Sequence, residues 1–191
     1  MSNAKPSPAK PSVNLQNLLD EFYVEPVGHR ELGKFESRAS VPSPYDGLLD
    51  HQEHMTVTVE AYAGESVDVR VHASHMKDHW YSREITLITQ QSQRIVQYGI
   101  VRLDTTKLDP VVWQQIQSQQ TPLGRVLINH NVLREVELCG LWEVSTGPSL
   151  GLKMNQPTET TLYGRTALIY CDRQPAIELL EIVNTLSLIH I

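Results

Sequence analysis

Cysteine is almost missing from this chain: Cys139 and Cys171 are the only 2 among 191 residues. A disulfide framework is thereby excluded as the basis of the fold, and a domain of this size can bury roughly 70% of its unfolded surface without one. Scarcity of thiols also suits a reducing compartment. No apolar run approaches the roughly 18 residues that would span a bilayer, and no leader-like pattern opens the sequence, so a cytoplasmic protein is expected. Positive charge is short as well. A formal net charge of -6 argues against sequence-independent attraction to nucleic acid or an anionic membrane surface. A small anionic ligand stays compatible, because a few buried arginines can set a local field against the global one.

Chemical signatures are sparse too. There is no phosphate-cradling glycine loop, no GxSxG turn and no zinc-type Cys/His spacing. His72, His75 and His79 fall close together, with His51 and His54 upstream, but their irregular spacing suits solvated or capping histidines better than a metal site. Neither a metal nor an organic cofactor is expected.

What the chain does carry is strand signal. Met55–Tyr62 and Ser66–His72 alternate about the turn Ala63-Gly64-Glu65 and read as an antiparallel hairpin. Arg83–Gln90 and Arg94–Leu103 form a second pair, Thr160–Tyr170 and Ala176–Thr185 a third, and Val132–Val144 reads as a further strand. Leu15, Leu18, Leu19 and Phe22 lie at helical spacing. Asp109-Pro110 and Thr121-Pro122 each look like a helix start, opening Val111–Gln119 and Leu123–Asn129. The stretch Gly147–Pro157 reads as a loop. The sum is a single α+β domain over residues 13–185, a twisted antiparallel sheet of about six strands with helices covering one face. Residues 1–12 read as a disordered proline-rich tail, with Met1-Ser2-Asn3-Ala4 resembling a scar of tag removal, and 186–191 as a second tail of uncertain nature. Asn14–Gly47 reads as helical cover.

Candidate chemistry sits where charge meets apolar runs. Arg83 opens Arg83-Glu84-Ile85 directly after Trp80-Tyr81; turned to the covered face, its guanidinium is a two-pronged receptor for a carboxylate. Glu181 lies in the most apolar strand, where desolvation suits a carboxyl to acid/base work. Glu178, three residues earlier, falls on the opposite face if alternation is strict. The start of the Leu123 helix offers free backbone N–H groups near Gly124, and Tyr163-Gly164-Arg165 places a glycine within a strand, a frequent mark of close approach.

In their order along the chain these pieces resemble the chorismate lyase family and its chorismate-lyase-like relatives. Met55-Thr56, Trp80 to Ile85, Thr121-Pro122-Leu123-Gly124-Arg125, Tyr163-Gly164-Arg165 and Glu181 after a turn containing Pro175 carry the similarity, which spans roughly residues 48–183. The resemblance implies a chorismate lyase-like fold and a cofactor-independent lyase that converts chorismate to 4-hydroxybenzoate and pyruvate for quinone biosynthesis. It implies that Arg83 holds the ring carboxylate, that Glu181 acts as acid or base, and that Met55, Leu123, Gly124, Tyr98 and Arg165 line or bind the ligand. Two departures bear on this. Gln97-Tyr98-Gly99 stands where the family carries a further arginine, leaving Arg165 or Arg102 to meet the second carboxylate. The spacing from Pro175 to Glu181 is one residue long, which implies a bulge and keeps Glu178 as an alternative. The same fold also serves as an effector-binding module in some transcription regulators, so an aromatic-acid sensor without catalysis is the alternative expectation.

Overall fold

In the computed structural model, residues 12–24, 28–132 and 134–184 are described; both tails and the Thr185 end of the last expected strand lie essentially outside that range. Seven strands form one antiparallel sheet: β1 (Gly33–Arg38), β2 (Val67–Lys77), β3 (Trp80–Thr89), β4 (Ile95–Asp104), β5 (Arg134–Thr146), β6 (Thr161–Cys171) and β7 (Gln174–Val183). Their spatial order is β1-β5-β6-β7-β4-β3-β2, so β7 and β4 pair at the centre although far apart in sequence. The helices are α1 (Leu15–Asp20), α2 (Gly28–Leu32), α3 (Tyr45–Leu49), α4 (Met55–Ala63), α5 (Pro110–Gln117), α6 (Leu123–Asn129) and α7 (Pro148–Met154).

Strand alternation divides the core between two faces. Tyr98, Ile100, Leu180 and Ile182 point one way and meet Leu15, Leu18 and Leu19 of α1 and Leu150 and Met154 of α7. Val101, Leu103, Ile177 and Leu179 point the other way, against Val112 and Ile116 of α5 and Val126 and Leu127 of α6. Beside them Ile85, Leu87 and Val183 receive Leu49 of α3 and Met55 and Val59 of α4. Helices therefore cover both faces rather than one, and the sheet has a seventh strand. That strand, β1, was expected as helical cover; its Lys34, Glu36 and Arg38 stay outward and leave little apolar signal.

Two elements differ in kind from their sequence reading. Met55–Tyr62 is helix α4, not a strand, and the expected hairpin with Ser66–His72 does not exist; β2 pairs with β3 instead. A period-two pattern contains every i,i+4 pair, so Met55 and Val59 satisfy both templates. Here Gly64, at φ 72, ends a helix with its N–H on the Glu60 carbonyl. Gly147–Pro157, expected as loop, holds α7. Its turn residues are caps, Pro148 in the first turn and Asn155 at φ 55 after the last, with Leu150 and Met154 buried between them.

Asp109 caps α5 as expected, its Oδ1 accepting from Val111 N at 2.8 Å. Thr121 does not cap α6; Pro122 occupies that position without a side-chain bond. A bulge does occur early in β7, where Ile169 faces Ile177 but Tyr170 faces Pro175, leaving Ala176 extra. Downstream of it Glu181 faces Gly99 and Arg165, while Glu178 faces Arg102 and Leu168.

Candidate functional site

The α4/α6 side of the sheet encloses a small cavity of about 30 Å³. Arg83, Ile85 and Leu87 of β3, Gln97, Gly99 and Val101 of β4, and Leu179 and Glu181 of β7 form its floor and sides. His54, Met55 and Thr56 at the start of α4 and Leu123 and Gly124 at the start of α6 close it from above. Gly124 permits that closure, since a Cβ there would lie 2.9 Å from Thr56 Oγ1.

Arg83 is 1% exposed. Its Nε has no hydrogen-bond partner, and its Nη1 reaches only the Ile116 carbonyl at 3.5 Å, near the limit of a useful bond. Among the described residues no carboxylate pairs with it. Burial pulls its pKa below the ordinary arginine value, and the neighbouring Tyr81 hydroxyl opposes this only in part. An unpaired guanidinium at this depth costs several kcal/mol by the usual desolvation arithmetic.

Arg165 is equally buried but saturated. Its Nε donates to Glu181 Oε2 at 2.7 Å, Nη1 to the His51 carbonyl at 2.9 Å and Nη2 to the Glu53 carbonyl at 3.0 Å. It neutralises Glu181 and ties the segment between α3 and α4 to the sheet. Burial, helped by the Arg165 charge, lowers the His51 pKa, so that ring stays neutral beside the cation.

The expected residues therefore separate. Arg83, Glu181, Met55, Leu123 and Gly124 meet at one cavity. Arg165 touches it only through Glu181. Tyr98 does not line it: one residue out of phase with Gln97 and Gly99, it points to the opposite face and donates to Glu84 Oε1 at 2.7 Å. There Tyr23 and Lys153 join it around the same carboxylate, apart from the residues that line the cavity. Glu178 lies on that opposite face too, paired with Arg102 at 2.9 Å. Arg102 is also ion-paired with Glu21 at 2.9 Å and stacks 4.0 Å over the Trp80 ring, which places it away from the cavity. Accordingly Tyr98→Phe should cost about 1 kcal/mol of stability, by removing one donor from Glu84, and leave ligand affinity unchanged. Denaturant unfolding and calorimetric titration check the two halves separately.

Gln97, Gly99, His54 and Thr56 had not been expected at the site. Gln97 and Gly99 were within reach of sequence reasoning, because strict alternation along β4 puts them with Val101 on the face that Arg83 uses. His54 and Thr56 were not, since their place depends on α4 being a helix. Among the described residues no group of His, Cys, Asp and Glu could hold a metal ion, and no helix is long and apolar enough to cross a membrane.

Fold and cavity together define an α+β domain, a seven-stranded antiparallel sheet with a small, largely apolar cavity between sheet and helices. Among solved structures the chain is similar to PhnF from Mycobacterium smegmatis, at 10% identity and TM-score 0.50 over 71% of this chain and 65% of that one. The effector domain of the same protein, solved alone, matches at 10% identity and TM-score 0.50 over 70% of this chain and 89% of that domain. The chain thus spans under two thirds of the whole PhnF structure and most of its effector domain. At this identity the likeness establishes the fold. No protein-family model matches the sequence, and no curated protein does.

Proposed function

We propose that this chain is a ligand-binding domain that receives a small aromatic carboxylate, with Arg83 as the receptor for its carboxylate group. The carrying observation is the buried guanidinium without a counter-ion at the end of an enclosed, mostly apolar cavity. A carboxylate there would convert an uncompensated charge into a bidentate, charge-assisted pair. The cavity supplies what an aromatic ring needs, with Ile85, Leu87, Val101, Leu123 and Leu179 around it. Its present 30 Å³ holds a water-sized molecule and not a ring. Binding therefore requires the start of α4 and the segment before it to move. His54 lines both this cavity and an open cleft of about 720 Å³ beyond it, which marks the path by which a ligand would arrive.

The effector-domain likeness supports a regulatory binding role for such a pocket. A second reading, lyase action on chorismate, is favoured by Glu181, which faces the cavity from β7 two register positions along from Arg83. In that reading Arg83 holds the ring carboxylate and the Glu181–Arg165 pair manages the proton lost on aromatisation. Incubation with chorismate, followed chromatographically for 4-hydroxybenzoate, separates the two. The binding reading expects saturable 4-hydroxybenzoate binding without turnover; product accumulation that is lost in Glu181→Gln establishes the lyase. Absence of binding by any aromatic carboxylate would falsify both.

A further inference from the structure

A second buried polar group faces the same cavity with nothing to bond. Gln97 is 3% exposed, lines the cavity and leaves its Oε1 without a hydrogen-bond partner. Buried acceptors in folded proteins are normally satisfied, so one that faces a cavity calls for a donor there, from a water or from a ligand. Its position relative to Arg83 is set by the sheet. Along β4, Val101, Gly99 and Gln97 share one face; Arg83 stands opposite Val101, while Gln97 stands opposite Leu87 and Val183. Those two levels are about 14 Å apart along the strand, with both long side chains available to reach inward. Gly99 keeps the floor between them bare, and a Cβ there would press on the Leu180 carbonyl at 3.2 Å.

Charge at the two ends is unequal. Arg83 is the unpaired cation at its end. Glu181, the other charged lining residue, stands opposite Gly99, midway between the two levels, and is already joined to Arg165, whose three nitrogens are all committed. A second carboxylate on a ligand would thus reach past the Glu181 anion to a neutral amide, with no second free cation among the described residues lining the cavity.

We infer that Gln97 is the specificity determinant of this site, selecting a monoanion that carries one carboxylate for Arg83 and a hydrogen-bond donor, such as a hydroxyl or amine, for Gln97 Oε1. This deepens the proposed function and rests on it. Calorimetric titration of the purified chain with benzoate, 3- and 4-hydroxybenzoate and terephthalate tests it. Wild type should bind one of the hydroxybenzoates about tenfold more tightly than benzoate, and terephthalate more weakly than benzoate. Gln97→Leu should abolish the hydroxyl preference while keeping benzoate affinity within about twofold. A preference that survives in Gln97→Leu, or terephthalate binding wild type as tightly as a hydroxybenzoate, overturns the assignment. Should that variant not fold, Gln97→Met takes its place and is read in the same way. Benzoate binding without any hydroxyl preference removes the role of Gln97 and leaves that of Arg83; no binding of any of the four removes the underlying function as well.

Discussion

Arg83→Met should make the ligand-free protein more stable by about 1–4 kcal/mol while eliminating its affinity for aromatic carboxylates. The two effects have one cause. Arg83 is enclosed, its Nε bonds nothing, and no carboxylate among the described residues pairs with it, so the folded state carries the desolvation cost of a charge with little in return. Methionine keeps an unbranched apolar stem and fills the space without that cost. On the proposed binding role, stability is held below what the fold could reach, as is common where a residue is kept for function. A ligand carboxylate would reverse the balance in the wild type. At a hundredfold excess over its Kd a ligand adds about 2.7 kcal/mol to unfolding stability. Urea unfolding of both proteins, with and without 4-hydroxybenzoate, reads all four terms. The expected pattern is a mutant that begins more stable and does not respond to ligand. A mutant less stable than wild type in the absence of ligand would mean that Arg83 is already compensated, and the case for an anion site would go with it.

Legibility of the fold in the sequence followed the period of each apolar pattern. β3 with β4 and β6 with β7 were visible because alternating runs flank short polar turns, and α5 because Asp109-Pro110 is a start signal independent of tertiary context. Where two periods fit the same residues, as at Met55 and Val59, local reading chose the strand and packing chose the helix. Where turn residues were in fact the two ends of a short helix, as at Pro148 and Asn155, composition concealed α7. The site was legible residue by residue and not as a constellation. Arg83 and Glu181 each stood out against apolar surroundings, yet that they share a face follows from β4 lying between β3 and β7, a pairing remote in sequence. Tyr98 shows the cost of one position: its neighbours Gln97 and Gly99 line the cavity, and it does not. That all three Arg165 nitrogens bond inside the protein, while Arg83 Nε bonds nothing, is a property of three-dimensional partners alone.

Arg165→Met should be among the most damaging single substitutions in the chain, destabilising by about 3–5 kcal/mol. It strands the Glu181 carboxylate, which is 7% exposed, without its cation. It also removes the donors that hold the carbonyls of His51 and Glu53, so the segment leading into α4 loses its tie to β6. Glu181→Gln should cost less, because the amide oxygen still accepts from Arg165 Nε and the two carbonyls remain. The decisive measurement is the pair together. In Arg165→Met combined with Glu181→Leu neither charge of the pair is left without its partner, and a hydrophobic replacement of an ion pair is often close to neutral. The double variant should recover much of the single loss, giving a coupling energy of about 1–3 kcal/mol in the cycle completed by Glu181→Leu. What it should not recover is the tie between β6 and the segment 51–53. The recovered protein should therefore exchange backbone amides faster across the start of α4, and should bind aromatic carboxylates with a higher on-rate because the cavity opens more readily. Additive losses in the cycle would show that Glu181 and Arg165 contribute independently, and unchanged exchange would show that α4 is held by its own packing against α6.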